Sequence, residues 1–135
     1  MNHITSAETG DSAIEREIVA KGLTAPRVTP ADIAANIYQE LYFSAADGVL
    51  GEEINRDGPT SVHDKSLKLL TFCVLVLKNG FTVTGESACA SPENYNADIG
   101  RKIARENAIQ KVWPLMGYQL KEQLYQRTQP AHAPE

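Results

Sequence analysis

Apolar positions along the chain fall into blocks separated by polar, glycine-rich stretches, and each block carries a period. Ala13 to Gly22, "AIEREIVAKG", predicts a short helix closed by Gly22. In "VTPADIAANIYQELYFSA", Ile33, Ile37 and Leu41 recur every four residues, with Ala34, Tyr38 and Tyr42 beside them. Thr29 suits an N-cap, Pro30 the first helical position, and Asp32 stands three residues after the cap. This spacing predicts a helix over 30–43. Residues 44–64 are rich in Gly, Asp and Ser and predict a long loop, with a short edge strand around Val49–Ile54.

Two β-rich runs then flank Asn79-Gly80, which fits a two-residue type I′ hairpin. That turn sets a register with Val76 opposite Val83, Val74 opposite Gly85 and Cys73 opposite Glu86. The first run is apolar on both faces, as a central strand would be, and the second alternates. Gly85 leaves a notch where a ligand or another backbone can approach. Ser91-Pro92 repeats the cap-then-proline signal and predicts a helix over 92–112. On it Tyr95, Ile99, Ile103, Ile109 and Trp113 share one face, while Arg101 and Arg105 flank them with Ala108 and Val112. Pro114 is expected to end or kink this helix, with a shorter one to about Tyr125 burying Leu120 and Leu124. The predicted class is α+β: a small antiparallel sheet built around the Asn-Gly hairpin, packed against two or three helices. Residues 1–12 and 127–135 read as flexible tails of one domain.

At 135 residues and 42% hydrophobic, the chain is long and apolar enough to bury a core as a single domain. A net charge of −4 argues against a general nucleic-acid binder but allows a local basic pocket. The first 22 residues lack the basic and apolar regions of a secretory signal. The longest apolar run, nine residues from Leu69, is too short to span a bilayer, so a cytoplasmic, membrane-free protein is expected. Cys73 and Cys89 read as small buried apolar side chains more readily than as a disulfide.

Catalytic chemistry is poorly served. Of His3, His63 and His132, two lie in the expected tails and His63 reads as a solvated loop residue. There is no metal-ligand spacing, and Glu52, Glu53 and Asp57 read as loop-solvating charges. An enzyme and a bound metal or cofactor are therefore not expected. Anion capture is better served. The helix start after "GESACAS" offers free N–H groups, and Arg101 with Arg105 can present two guanidinium forks to a phosphate or pyrophosphate. Phe81 and Tyr95 are stacking platforms, Asn94 and Ser87 could read polar edges, and Arg56 is a further cation in the long loop. The plain alternative is that the arginines form a solvated face paired with Glu106, and that Tyr95 is core.

The stretch from Cys73 to Leu124 carries an NGF hairpin, the GESAC strand end, the SPENYNADIG helix entry, an arginine-bearing helix and WPLxGYxLKxxL. Together with "TPADIAANIYQE", it resembles a family of small tailed-phage proteins and, within it, the Thoeris anti-defence proteins of the first described type. That resemblance implies a sponge that binds cyclic ADP-ribose isomers made by TIR-domain enzymes, without degrading them, in the cytoplasm of an infected bacterial host. It further implies a homo-oligomer, dimeric or hexameric, with cyclic oligonucleotides as a second ligand class. A module that acts on a host protein and takes no small molecule is the competing expectation, resting on Tyr118 and Tyr125.

Overall fold

The computed structural model describes residues 10–58 and 62–130. Its elements are α1 (Gly10–Ala20), α2 (Pro30–Ala35), β1 (Ile37–Ser44), α3 (Ala45–Asn55), β2 (Leu70–Leu77), β3 (Thr82–Ala88) and α4 (Ala97–Thr128). Short 3₁₀ helices span Lys65–Leu69 and Pro92–Asn94. The chain clusters into two compact units, one of Asn36–Val112 and one of Met1–Ala35 with Trp113–Glu135. Of the expected tails, residues 1–9 and 131–135 lie outside the described residues; Gly10–Ser12 open α1 and Arg127–Thr128 close α4.

The first unit holds a three-stranded antiparallel sheet in the order β1-β2-β3, an α+β arrangement with the fully apolar β2 at its centre. Thr71, Cys73, Leu75 and Leu77 of β2 point to the buried face, with Val83 and Gly85 of β3 beside them. Gly100, Ala104, Ala108 and Val112 of α4 are buried, four residues apart, and form the helix stripe that closes this core. The stripe is made of small residues because the backbones come very close. A Cβ on Gly85 would lie 2.1 Å from the Ala104 carbonyl oxygen and 2.3 Å from the Ala108 nitrogen. The notch at Gly85 is thus occupied by the protein's own helix. The face expected to be apolar is not the buried one, and Ile99 and Ile103 are exposed. With room only for side chains of alanine size, the larger isoleucines turn outward.

The hairpin forms, with a register one residue away from expectation: Val76 pairs with Thr82, Val74 with Thr84 and Cys73 with Gly85. The turn holds three residues rather than two. Gly80 N–H donates to the Leu77 carbonyl, Gly80 takes φ 89°, and Leu77 N–H then donates to the Phe81 carbonyl. This is a type I turn followed by a left-handed glycine, a common three-residue hairpin. Asn79 contributes through its side chain, which accepts from Phe81 N–H at 2.9 Å.

Three other expectations need correction. The helix over 30–43 stops at Ala35 and Ile37–Ser44 becomes β1, paired with β2 from Ile37–Leu77 to Ser44–Thr71 with a bulge between Ile37 and Gln39. "IYQELYFS" is rich in aromatic residues and pairs well as a strand, and ladder bonds to β2 override the four-residue spacing. The loop over 44–64, with its edge strand at Val49–Ile54, is α3 through Asn55. Ser44 and Asp47 form a reciprocal capping box at its start. Helix α4 begins at Ala97, where the Asn96 side chain accepts from Ile99 N–H, and it runs through Pro114 to Thr128. Proline there forfeits one backbone bond, which a helix of 32 residues tolerates.

In the second unit, α1 ends as expected. Gly22 sits at φ 68°, and the Gly22 and Leu23 N–H groups return to Val19 and Ile18 carbonyls. Thr29 and Asp32 cap α2 reciprocally at 2.9 and 3.0 Å. Ile33 is buried. Among the described residues, no helix is long and apolar enough to cross a membrane.

Candidate functional site

Of the expected ligand-binding residues, Ser87 lies on β3, Asn94 and Tyr95 on the 3₁₀ turn that follows, and Arg101 and Arg105 on the first turns of α4. Gly100 lies over Thr71, since a Cβ there would come 3.2 Å from the threonine hydroxyl and 4.0 Å from the Tyr95 ring. Thr71 pairs with Ser87, whose side chain therefore faces the same side of the sheet. Asn94 ends the 3₁₀ turn that leads into the helix, and Tyr95 caps it. Ser87, Asn94 and Tyr95 thus stand near this end of the sheet, while Arg101 shares a flank of α4 with Arg105, four residues on. Arg101 is exposed and has no ion-pair partner among the described residues.

Arg105, one turn on, reaches across to β1. Its Nε donates to Glu40 Oε1 at 2.8 Å, and the other oxygen of Glu40 accepts from the Tyr42 hydroxyl at 3.3 Å. Glu40, Tyr42 and Ser44 share the helix-covered side of β1, because they pair with Leu75, Cys73 and Thr71. The ion partner of Arg105 is therefore Glu40 and not Glu106, from 65 residues away in sequence. Sequence reasoning missed Glu40 because it placed Ile37–Phe43 on a helix. Partial burial, with the neighbouring Cys73 and Glu40, pushes the Tyr42 hydroxyl up to about 12, so it stays a donor at neutral pH. Burial likewise raises the Cys73 thiol.

Two expected members lie elsewhere in the protomer. Phe81 is exposed at the hairpin turn. It precedes Gly85 by four residues, about 13 Å along the strand at ~3.3 Å per residue. Arg101 lies about 4.5 Å to the other side of that crossing, three residues before Ala104 at ~1.5 Å each. Arg56 follows α3, where its Nε bonds Glu52 at 3.0 Å, and it borders an open groove with Phe43, Gly51 and Asn55.

Glu53 on α3 and His63 after it, expected to be solvated, form a pair instead. His63 Nε2 lies 2.7 Å from Glu53 Oε1, and Glu53 is buried. The two side chains tie the segment after α3 back onto the helix, a structural role. His3 and His132 lie outside the described residues. Cys73 and Cys89 are both free thiols; Cys73 is buried as expected, and Cys89 is half-buried with its Sγ against the Ser91 carbonyl at 3.1 Å. Among the described residues, no three His, Cys, Asp or Glu side chains stand where they could hold a metal ion.

An α+β unit with a basic helix lying over a small antiparallel sheet is the class that the fold defines. Residues 28–124 match the phage protein family described as N4 Gp49/phage Sf6 gene 66, and the chain belongs to that family. Comparison with curated proteins and with solved structures finds no match.

Proposed function

We propose that this phage-family protein binds and sequesters a small cyclic nucleotide signal without degrading it. The ligand class is a cyclic ADP-ribose isomer of the kind TIR-domain enzymes make, with cyclic oligonucleotides as a second class, and the place of action is the cytoplasm of the infected host. The observation that supports the reading is the pair Arg101 and Arg105, one turn apart on one flank of α4, with Ser87, Asn94 and Tyr95 on the segments that lead into that helix. These residues combine cationic forks for a pyrophosphate, an aromatic edge for a purine, and amide and hydroxyl groups for ribose. In this reading the homo-oligomer, a dimer or hexamer, completes the site, with Phe81 and Arg56 coming from a second copy.

Incubation of the purified protein with cyclic ADP-ribose isomers, followed by heat denaturation and assay of the supernatant, tests the proposal. Intact ligand released on heating supports a sponge, altered ligand points to an enzyme, and ligand that stays free throughout removes the small-molecule reading. The joint substitution Arg101→Ala and Arg105→Ala is expected to abolish capture with an unchanged circular dichroism spectrum. Unaltered capture by that variant rules out this site. The competing reading, a module that docks on a host protein, draws on Tyr118 and Tyr125, which are 73% and 53% exposed. It gains if no ligand is retained.

A further inference from the structure

We infer that Glu40 is a positioning residue for the ligand site: it locks the Arg105 guanidinium so that its outer edge faces a phosphate or pyrophosphate. The inference rests on the proposed role of Arg105 as an anion contact. A guanidinium carries one N–H at Nε and four at its Nη atoms. The bond to Glu40 Oε1 is made at Nε, 2.8 Å away, so it fixes the plane of the group while the Nη edge remains available. The pair is a third exposed, open to a ligand and yet sheltered enough to be ordered. Glu40 is itself held, since its second oxygen accepts from the Tyr42 hydroxyl at 3.3 Å on the next residue of the same strand face. A three-member relay, Tyr42 to Glu40 to Arg105, thus runs from the sheet to the helix.

Two physical effects of Glu40 oppose each other, and this makes the inference testable. Its negative charge reduces the pull of Arg105 on an anion, so pure charge neutralisation predicts tighter capture when Glu40 is removed. Pre-organisation predicts weaker capture, because a free arginine must be ordered at the moment of binding. A glutamine at this position keeps the amide oxygen as acceptor for Nε and drops the charge. Positioning therefore predicts rescue by Glu40→Gln and none by Glu40→Ala.

The experiment measures the affinity for cyclic ADP-ribose by calorimetry in the full-length wild type, E40A, E40Q, R105A and the E40A/R105A pair, with thermal unfolding to compare their folding. Positioning predicts about a tenfold loss in E40A, near wild-type affinity in E40Q, and no further loss when E40A is added to R105A. Should E40A unfold, E40Q carries the test: capture weakened tenfold in a folded E40Q overturns the inference, and retained capture supports it. Equal or tighter binding by E40A also overturns it and leaves Glu40 as a neutralising ion pair, with the sponge reading intact. A full E40A loss in the R105A background places the effect of Glu40 elsewhere. Undiminished capture by R105A, or none by the wild type, removes Arg105 from a ligand site, and the parent reading of that residue falls with the inference.

Discussion

The unit of Asn36–Val112 and the unit of α1, α2 and the later part of α4 hold themselves together by different means. In the first, apolar side chains from β2 and β3 meet a stripe of glycine and alanine, and Cys73, Leu75, Ala104, Ala108 and Val112 have no exposed surface. In the second, Ile33 is the buried apolar residue among those described, while Ile14, Val19 and Leu23 are more than half exposed. Its order rests on directional polar bonds. Arg27 holds Glu15 with two bonds of 2.6 Å, and the Trp113 indole N–H donates to Asp11 at 3.1 Å. Close packing is insensitive to pH and unforgiving of added volume, whereas polar clasps tolerate volume and respond to protonation.

The largest expected effect breaks the packing side of this contrast. Gly85→Ala would drive a Cβ into the α4 backbone, and a loss of about 3 kcal/mol or failure to fold is expected in denaturant unfolding. The matched control is Gly51→Ala on α3, where a Cβ meets nothing within 4 Å and helix propensity predicts a gain of ~0.5–1 kcal/mol. Equal effects from both would mean that the tight crossing is not rigid. A smaller effect tests the polar side. Trp113→Phe keeps an aromatic ring but removes the indole N–H and its bond to Asp11, with about 1 kcal/mol expected from the lost bond. Hydrogen exchange should speed in α1 and stay slow in β2.

The smallest effect sharpens the contrast in pH. The hydrogen bond from Arg27 holds the Glu15 carboxyl below its ordinary value of 4.5. The folded state therefore binds that proton less tightly than the unfolded chain. Its contribution is present above about pH 4.5 and is lost as the pH falls through the lower folded value. Glu15→Gln should flatten the acid limb of a stability-against-pH curve. An acid limb identical to that of the wild type would show that this clasp is not formed in solution.

Much of the fold is legible in short-range signals. Asn79-Gly80 marks the hairpin, the doubly apolar Leu70–Leu77 marks the central strand, and Gly22 marks the end of α1. The Ser44/Asp47 capping box was also readable, but Gly48 and Gly51 hid the helix it starts. Gly48 has its own reason, as it lies against the Phe43 ring, where a Cβ would be 3.3 Å from Cε2. The candidate site was legible in part. Asn94, Tyr95, Arg101 and Arg105 follow one another from the 3₁₀ turn into α4, so their nearness along the chain was readable. The Glu40–Arg105 pair was not, because it depends on a strand pairing between segments far apart in sequence.

What the sequence by itself determined, then, is membership of the phage family, the place of the hairpin, the capped start of α2 at Thr29-Pro30 and the end of α1 at Gly22, all written in local residue choice. Tertiary structure alone decided the rest. It chose β1 over a helix for Ile37–Ser44, moved the hairpin register by one residue, and filled the notch of Gly85 with α4. It also turned Ile99 and Ile103 outward and set Arg105 on Glu40. Local propensities for these choices differ by well under the energy of a ladder of strand bonds or a close-packed helix crossing, so the long-range contacts settle them.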